Sequence, residues 1–367
     1  MPANHGGVGR YVYGILRGFD PDQLDLWLAV QRRDADRFAR IAPWATIITV
    51  PPAFSSRPLR LVWEQVGLPF VAWRSNVDVI HSPHYTFPIA WRRRRVVTLH
   101  DATFFSDPEV HRLLKRRFFR SWIRRAWRLA DAVVTPSSAT AGEVERFLGA
   151  PAAIVEVALL GVNAHRFHPP TSAQLHDFRT EWKIGADATW FAFLGTIEPR
   201  KNLVALLDAY AGLRDELGPD CPKLLISGGR GWDTAALARL DALPEDSGVI
   251  ELGYLPVKSL PALLGGAVAV MYPSLGEGFG LPVLEAMACG AAVITSNRLA
   301  LPEVGGNAVV YTDVDASSIA AAMREIHRDV PERVRVRALA IGRAALFTWT
   351  ATATAHVRAY RDAATSR

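Results

Sequence analysis

Short apolar runs alternate with stretches of helical period along almost the whole chain. One series holds Leu26–Val30, Ala45–Val50, Val77–His81, Val96–Leu99, Ala132–Thr135 and Ile154–Val157. A second holds Trp190–Leu194, Lys223–Ile226, Val249–Leu252, Val268–Tyr272, Ala292–Thr295 and Ala308–Tyr311. Many are apolar at nearly every position, the pattern of strands covered on both faces. Segments between them, such as Leu203–Leu213 and Thr234–Ala242, repeat apolar residues at helical spacing. Strand–helix alternation predicts an α/β fold of parallel sheets with right-handed crossovers, here as two doubly wound halves. The join falls near Asn163–Ser172, where His168-Pro-Pro-Thr-Ser172 reads as extended chain.

The glycine turn Gly6-Gly-Val-Gly9 precedes a helical run from Arg10. In a doubly wound domain such a turn follows the first strand, usually a central one. Only five residues come before it. Either the N-terminal domain lacks its first strand, or the native start lies upstream of Met1. A missing central strand would leave backbone groups on its neighbours unpaired.

A length of 367 residues suits two domains, and 50% apolar residues suffice for two cores. Cys221 and Cys289 show no pairing pattern and exclude a cysteine-based zinc site. No apolar run approaches the ~18 residues of a membrane span, and no signal-peptide core opens the chain, so a cytoplasmic protein is expected. The net charge of +6 is concentrated in Arg92–Arg95 and in the segment 111–130. There Leu114, Phe118, Trp122, Ala126 and Leu129, extended by Phe119 and Ile123, share one side of a helical wheel, with most arginines opposite. Two readings stay open: a helix packed on its own sheet with a solvated basic face, and a helix touching an anionic membrane. No nucleic-acid motif accompanies the charge.

Candidate chemistry gathers at the predicted carboxyl ends of strands, where open α/β sheets bind ligands. Glu277-Gly-Phe-Gly-Leu-Pro-Val-Leu-Glu285 sets two carboxylates around a glycine-rich turn. Pro282 suits a first helical position, and Gly290 suits the residue after the helix. Free N–H groups at that helix start offer a phosphate site, and the carboxylates offer acceptors for hydroxyls. Arg200 and Lys201, in Gly195-Thr-Ile-Glu-Pro-Arg-Lys-Asn202, are adjacent cations that could neutralise a diphosphate leaving group. His100 closes a strand and could donate to a substrate hydroxyl or assist proton movement. Paired carboxylates also occur in glycosidases, but hydrolysis does not need the flanking phosphate apparatus. Asp20-Pro-Asp22, Asp34-Ala-Asp36 and Asp313-Val-Asp315 match an Asp-x-Asp pattern too common to assign a metal, and Asp34 reads as a helix cap. There is no Walker A loop, HExxH or G-x-S-x-G.

Glu277 to Glu285 resembles the E-x7-E motif of retaining GT-B glycosyltransferases of glycosyltransferase family four. Gly6 to Val12, Thr98 to Asp101, Val134 to Thr140, Leu160 to Asn163, Gly195 to Asn202 and Pro273 to Gly280 resemble further landmarks. The resemblance implies two Rossmann-like domains facing across a cleft: 1–168 for the acceptor, 169–345 for the nucleotide-sugar, and a terminal helix 346–367 crossing back to the first. It implies that Gly195, Arg200 and Lys201 hold the diphosphate. Glu277 and the backbone of Gly278, Phe279, Gly280 and Leu281 would hold the donor sugar, and Glu285 the ribose. Gly9 would approach the phosphates, His100 the sugar, and Tyr254 the base. No metal and no cofactor are implied. Gly276 departs from the pattern, which implies a bulkier residue there.

The function expected is retaining transfer of a sugar, with GDP-mannose the preferred donor, to a glycan or polyprenyl-linked acceptor in surface polysaccharide or glycolipid synthesis. A peripheral site on the inner membrane face is part of that expectation. The alternatives are a non-catalytic nucleotide-sugar-binding protein and a sugar-nucleotide epimerase of related fold.

Overall fold

Each predicted apolar run forms a strand, displaced by no more than two residues at either end. The computed structural model describes residues 6–106 and 113–365. Within these, β1 (Trp27–Gln31), β2 (Thr46–Val50), β3 (Val79–Ser82), β4 (Arg94–Thr98), β5 (Ala132–Thr135) and β6 (Ile154–Val157) belong to one unit. The other unit holds β7 (Trp190–Leu194), β8 (Lys223–Ser227), β9 (Val249–Gly253), β10 (Ala269–Tyr272), β11 (Val293–Ser296) and β12 (Val310–Thr312). All pairings are parallel.

The C-terminal unit, Val162–Phe347, carries a six-stranded sheet in the order β12-β11-β10-β7-β8-β9. Every residue of β7, β10 and β11 is buried, as expected for strands sandwiched between helices. One core layer joins Phe191 and Phe193 to Leu203, Leu206 and Tyr210 of helix Leu203–Leu217 and to Ile319 and Met323 of helix Ala316–Arg328. The chain runs outward from β7 through β8 to β9, then returns to place β10 on the other side of β7. That reversal makes the carboxyl ends of β7 and β10 the switch point of the sheet, where a crevice opens between diverging connections.

The N-terminal unit comprises Met1–Gly161 and Thr348–Arg367. Its strands form two separate sheets, β1-β2 and β3-β4-β5-β6. Among the described residues no strand precedes helix Gly7–Gly18 or joins the two sheets. Helix Trp349–Thr365 covers β4, β5 and β6, setting Ala355, Ala359 and Ala363 against Val96, Ala132 and Val134. It also lies against helix Gly7–Gly18. A Cβ on Gly14 would sit 2.2 Å from the Trp349 ring, and one on Gly18 would sit 2.1 Å from the Trp349 carbonyl oxygen. These two glycines, one helical turn apart, let the helices touch.

A buried chain of hydrogen bonds fastens the same helix to the sheet. His356 Nδ1 lies 2.7 Å from the Thr352 carbonyl, which can only accept, so Nδ1 carries the proton and Nε2 accepts from Tyr11 Oη at 2.7 Å. Tyr11 Oη then accepts from Thr98 Oγ1 at 2.8 Å, and Thr98 from His81 Nε2 at 2.8 Å. His81 Nδ1 accepts from Tyr360 Oη at 2.8 Å. One carbonyl thus fixes every donor and both histidine tautomers.

The division between units falls at Gly161/Val162 and again at Phe347/Thr348, against 168/169 and 345/346 in the sequence reading. Packing accounts for the difference. Val162 N donates to Phe347 O at 3.1 Å, and a Cβ on Gly265 would strike Pro170 at 2.4 Å. The extended segment therefore lies on the C-terminal unit.

Candidate functional site

Strand β7 ends at Leu194, and the chain turns through Gly195–Glu198 into a single 3-10 turn, Pro199–Lys201. Pro199 supplies the fixed φ for that turn. Asn202 follows in the left-handed region, φ 58°, a conformation asparagine tolerates, and its side chain donates to Val314 O at 2.7 Å. Helix Leu203–Leu217 then begins. This geometry projects Arg200 and Lys201 toward the end of β10.

There they meet Glu277. Arg200 donates to Oε2, while Oε1 receives Lys201 Nζ at 2.5 Å, Tyr272 Oη at 2.9 Å and Ser274 Oγ at 2.8 Å. Arg200 also pairs with Glu198 at 2.6 Å, and Lys201 donates to Tyr272 Oη. Bonds to the backbone lock the two loops together: Leu275 N donates to Arg200 O at 2.7 Å, and the Arg200 guanidinium donates to Gly276 O at 3.3 Å. Burial works against a charged Glu277, but Arg200 and Lys201 outweigh it and hold the carboxyl well below the usual range. Burial and the neighbouring Arg200 lower Lys201, opposed by Glu277. Tyr272 is pushed well up by burial and by Glu277. The cluster occupies the switch point of the sheet. Tyr272, Ser274 and Glu198 complete it, and the sequence reading did not single them out as site residues. Their available signal was position: each follows or ends a buried strand beside a residue already chosen.

Helix Leu281–Ala288 starts one residue earlier than expected. Gly280, φ 105°, precedes it in a conformation that disfavours any side chain, and a Cβ there would meet Leu301 at 2.8 Å. Gly290, φ 69°, follows the helix as anticipated. Phe279 is buried edge-on to Phe347, ring centroids 6.0 Å apart, so it offers its backbone rather than its ring. Leu281 is buried as well. Glu285 is buried on the helix, and burial together with its charge raises the Cys289 thiol one turn on. Gly278 stands in the turn between Glu277 and Phe279.

A second glycine loop, Gly228-Gly-Arg-Gly231, was not anticipated. A Cβ on Gly228, φ 147°, would overlap Gly195 O at 1.9 Å, so the loops after β7 and β8 are in backbone contact. Gly228 N donates to Gly253 O at 2.8 Å, which ties the loop to the last residue of β9. Tyr254, next to Gly253, is 57% exposed. The run of three glycines at a strand end was the legible sign.

In the N-terminal unit, Gly9 is not in a turn: helix Gly7–Gly18 already begins at Gly7, and Gly9 lies buried in its first turn. Gly6 caps that helix without a side-chain bond. His100 Nε2 lies 2.8 Å from Pro83 O, so Nε2 is the donor and is already used. The other nitrogen, Nδ1, is then an acceptor. Of the two roles offered by the sequence, this tautomer disfavours donation to a substrate hydroxyl and is compatible with assisting proton movement. Burial lowers the pKa of the ring, opposed by the bond to Pro83 and by Asp101. His84 stands 5.9 Å away, its pKa lowered to about 4 by burial and by His100. Tyr85 beside it has φ +36°, a strained value for an aromatic residue.

The wheel drawn for 111–130 is only half right. Residues 111 and 112 lie outside the described residues. In helix Leu113–Leu129 the buried side chains are Trp122, Ile123, Ala126 and Trp127, while Leu114, Phe118 and Leu129 are exposed. The Asp-x-Asp matches resolve largely as turns: Asp20 accepts from Asp22 N and Asp315 from Ser318 N, while Asp34 begins a helix without a side-chain cap. Among the described residues, no three His, Cys, Asp or Glu side chains cluster as metal ligands, and no helix is long and apolar enough to cross a membrane.

Two α/β units built on parallel strands, one of them doubly wound with a cation–carboxylate cluster at its switch point, define the GT-B fold, and the family matches make it that of a glycosyltransferase. Residues 5–166 match Glycosyltransferase Family 4, and residues 176–342 match Glycosyl transferases group 1. The O-antigen chain mannosyltransferase B of Escherichia coli is 33% identical over 299 residues, covering 79% of this chain and 76% of that protein. The serotype-specific mannosyltransferase WbdA of the same organism is 31% identical over 74% of this chain, which spans only 34% of its length. Among solved structures, HepE of Anabaena in complex with UDP-glucose superimposes with a TM-score of 0.76 at 18% identity, covering 98% of this chain and 96% of that one. WaaG, a glycosyltransferase involved in lipopolysaccharide biosynthesis, gives 0.73 at 13% identity, covering 96% of each chain. The chain belongs to glycosyltransferase family 4.

Proposed function

We propose that this chain transfers mannose from GDP-mannose, with retention, to a hydroxyl of a glycan or polyprenyl-linked acceptor during assembly of a surface polysaccharide. The observation that carries the reading is Glu277 held between Arg200 and Lys201 at the switch point. The mannosyl donor follows the two mannosyltransferase relatives.

In this reading Arg200 and Lys201 face the diphosphate and offset the charge that grows as the bond from C1 to the phosphate oxygen breaks. They take the part a divalent ion plays elsewhere, so nucleotide binding is expected to persist in EDTA. The N–H groups beginning helix Leu281–Ala288 add the positive end of its dipole. Glu277 is buried and held by four side chains, three of them on Oε1, and Oε2, engaged by Arg200, keeps a position that can accept from a sugar hydroxyl. Its carboxylate is thus committed to the cluster rather than poised for covalent attack on C1. That supports attack of the acceptor oxygen from the face the diphosphate leaves, its proton passing to the departing phosphate oxygen. Glu277 and the backbone of Gly278, Phe279, Gly280 and Leu281 orient the donor sugar. Glu285 takes the ribose hydroxyls, Tyr254 the base, and Gly195 the phosphates. Within the N-terminal unit, this reading gives substrate-binding roles to the backbone N–H of Gly9, at a helix start, and to Nδ1 of His100, as an acceptor.

Calorimetric titration with GDP, UDP and ADP in EDTA tests the donor site, using wild type, Glu285→Ala and Arg200→Ala. Binding of GDP alone, weakened in both variants, is the expected result. Preference for UDP would overturn the donor assignment. No binding by the folded protein would overturn the site. Turnover of GDP-mannose only with an acceptor present separates transfer from epimerisation and from mere binding, and the anomeric proton coupling of the product reports retention.

A further inference from the structure

Helix Arg57–Arg74 in the N-terminal unit is apolar on two opposite faces. Leu61, Gln65, Leu68 and Ala72 face inward: Leu61 packs on the core around Trp122, and Leu68 on Ala72 and Ile80. Gln65 fastens the helix by donating to Phe87 O at 2.8 Å and accepting from Ile89 N at 3.0 Å. On the other side Leu59, Val62, Val66, Phe70 and Trp73 form a band roughly 80° wide on the wheel, at about 3.6 residues per turn. All five are open to solvent, Val66 at 68% and Trp73 at 64%. A helix with apolar residues on both faces is normally covered on both. Large exposed patches of this kind mark interaction sites.

The band does not stand alone. Phe87, bonded to this helix, stacks edge-on with Trp122 of helix Leu113–Leu129 at 5.6 Å, so the two helices flank one segment. The second helix adds exposed Leu114, 82% open, and Phe118. Charge on the two helices is almost all of one sign. The two helices together contain a single carboxylate, Glu64, which is engaged by Thr86 Oγ1 at 2.9 Å. Against it stand Lys115 and six arginines of the second helix, with Arg60 and Arg74 on the first. Arg93 touches Asn76 and Val77, just past the end of the first helix.

We infer that the outer faces of helices Arg57–Arg74 and Leu113–Leu129 form a docking surface for an anionic lipid bilayer. The apolar band enters the headgroup–acyl boundary, and the arginines meet lipid phosphates. Charge decides between this occupant and a second copy of the chain. A two-fold interface sets the same patch against itself and would bring arginines to arginines, whereas an anionic surface neutralises them. The inference does not depend on the donor assignment, because vesicle binding needs neither nucleotide nor acceptor.

Co-sedimentation of the full chain with vesicles of phosphatidylcholine alone, or with about a third phosphatidylglycerol, tests it at low and high salt. Two variants accompany wild type: Val66→Ser/Phe70→Ser/Trp73→Ser, and Arg117→Gln/Arg124→Gln/Arg128→Gln. Wild type is expected to pellet with the anionic vesicles and to release as salt rises, and each variant to bind at least tenfold more weakly. Tryptophan emission should shift to the blue on binding. Equal binding by the apolar variant, or none by wild type, overturns the proposal. So does a wild-type dimer in analytical ultracentrifugation that the apolar variant dissociates. Unchanged far-ultraviolet circular dichroism excludes misfolding of the variants, and the charge variant leaves the apolar band intact.

Discussion

Glu277 accepts from Arg200, Lys201, Tyr272 and Ser274, so its removal leaves a buried ammonium and a partly exposed guanidinium without their main partner. Loss of one member of a buried pair typically costs ~3–5 kcal/mol. Arg200 keeps Glu198 and some solvent, so Glu277→Ala should fall toward the lower end in urea unfolding. Glu277→Gln should keep the shape yet lose the charge. Sugar transfer in both is expected to drop by about 10²–10³, the scale of losing one preorganised charge partner, with initial rates as the measure. His100 makes a finer point. Its free nitrogen accepts, so His100→Asn should retain more transfer than His100→Lys, which can only donate. Equal rates in the two would remove His100 from sugar recognition.

The central strands were legible because nearly every position in β5, β7, β10 and β11 is apolar and buried on both faces. The more exposed β1, β2 and β6 were legible from their short runs of β-branched and apolar residues. Glu277, Arg200 and Lys201 were legible because glycine and proline flank them at strand ends. Tyr272 and Ser274 were not, because a tyrosine closing a buried strand reads as core until the loop beside it is placed. The local structure at Gly9 was misjudged for a similar reason: glycines suggest a turn, but here the helix already begins at Gly7, and Gly14 and Gly18 serve close helix contact. Helix Arg57–Arg74 escaped notice because an apolar face reads as core whether or not anything covers it. A test at this scale is Gly14→Ala. Its Cβ would enter the Trp349 ring, so a loss of ~1–3 kcal/mol is expected in thermal or urea unfolding. Gly212→Ala, in open space on helix Leu203–Leu217, should stabilise slightly.

Two units with separate cores predict two unfolding transitions, and acid should act on the first unit. His356 has its pKa lowered to about 4, and His81 lies well below its ordinary value, burial being the leading cause for both. Near pH 6.5 the unfolded chain begins to take up protons that the folded one refuses. Stability from these rings is therefore full above pH 6.5 and is lost as pH falls toward 4, by up to about 3 kcal/mol for His356. Scanning calorimetry from pH 7.5 to 4.5 should show the N-terminal transition moving down faster than the C-terminal one. Tyr11→Phe should lower the same transition at every pH, because it strands Nε2 of His356 without a donor.

The hydrogen-bond chain through Tyr11 begins at Tyr360 and ends at Thr352, both on helix Trp349–Thr365. On the ribosome, Tyr11, His81 and Thr98 emerge early, whereas His356 and Tyr360, which bond Tyr11 and His81, emerge only after residues 162–347 have been made. The C-terminal unit is a contiguous stretch and can complete its core as it leaves the tunnel. The N-terminal unit must wait for the last helix to be released. The half of the protein synthesised first is therefore the half that finishes folding last.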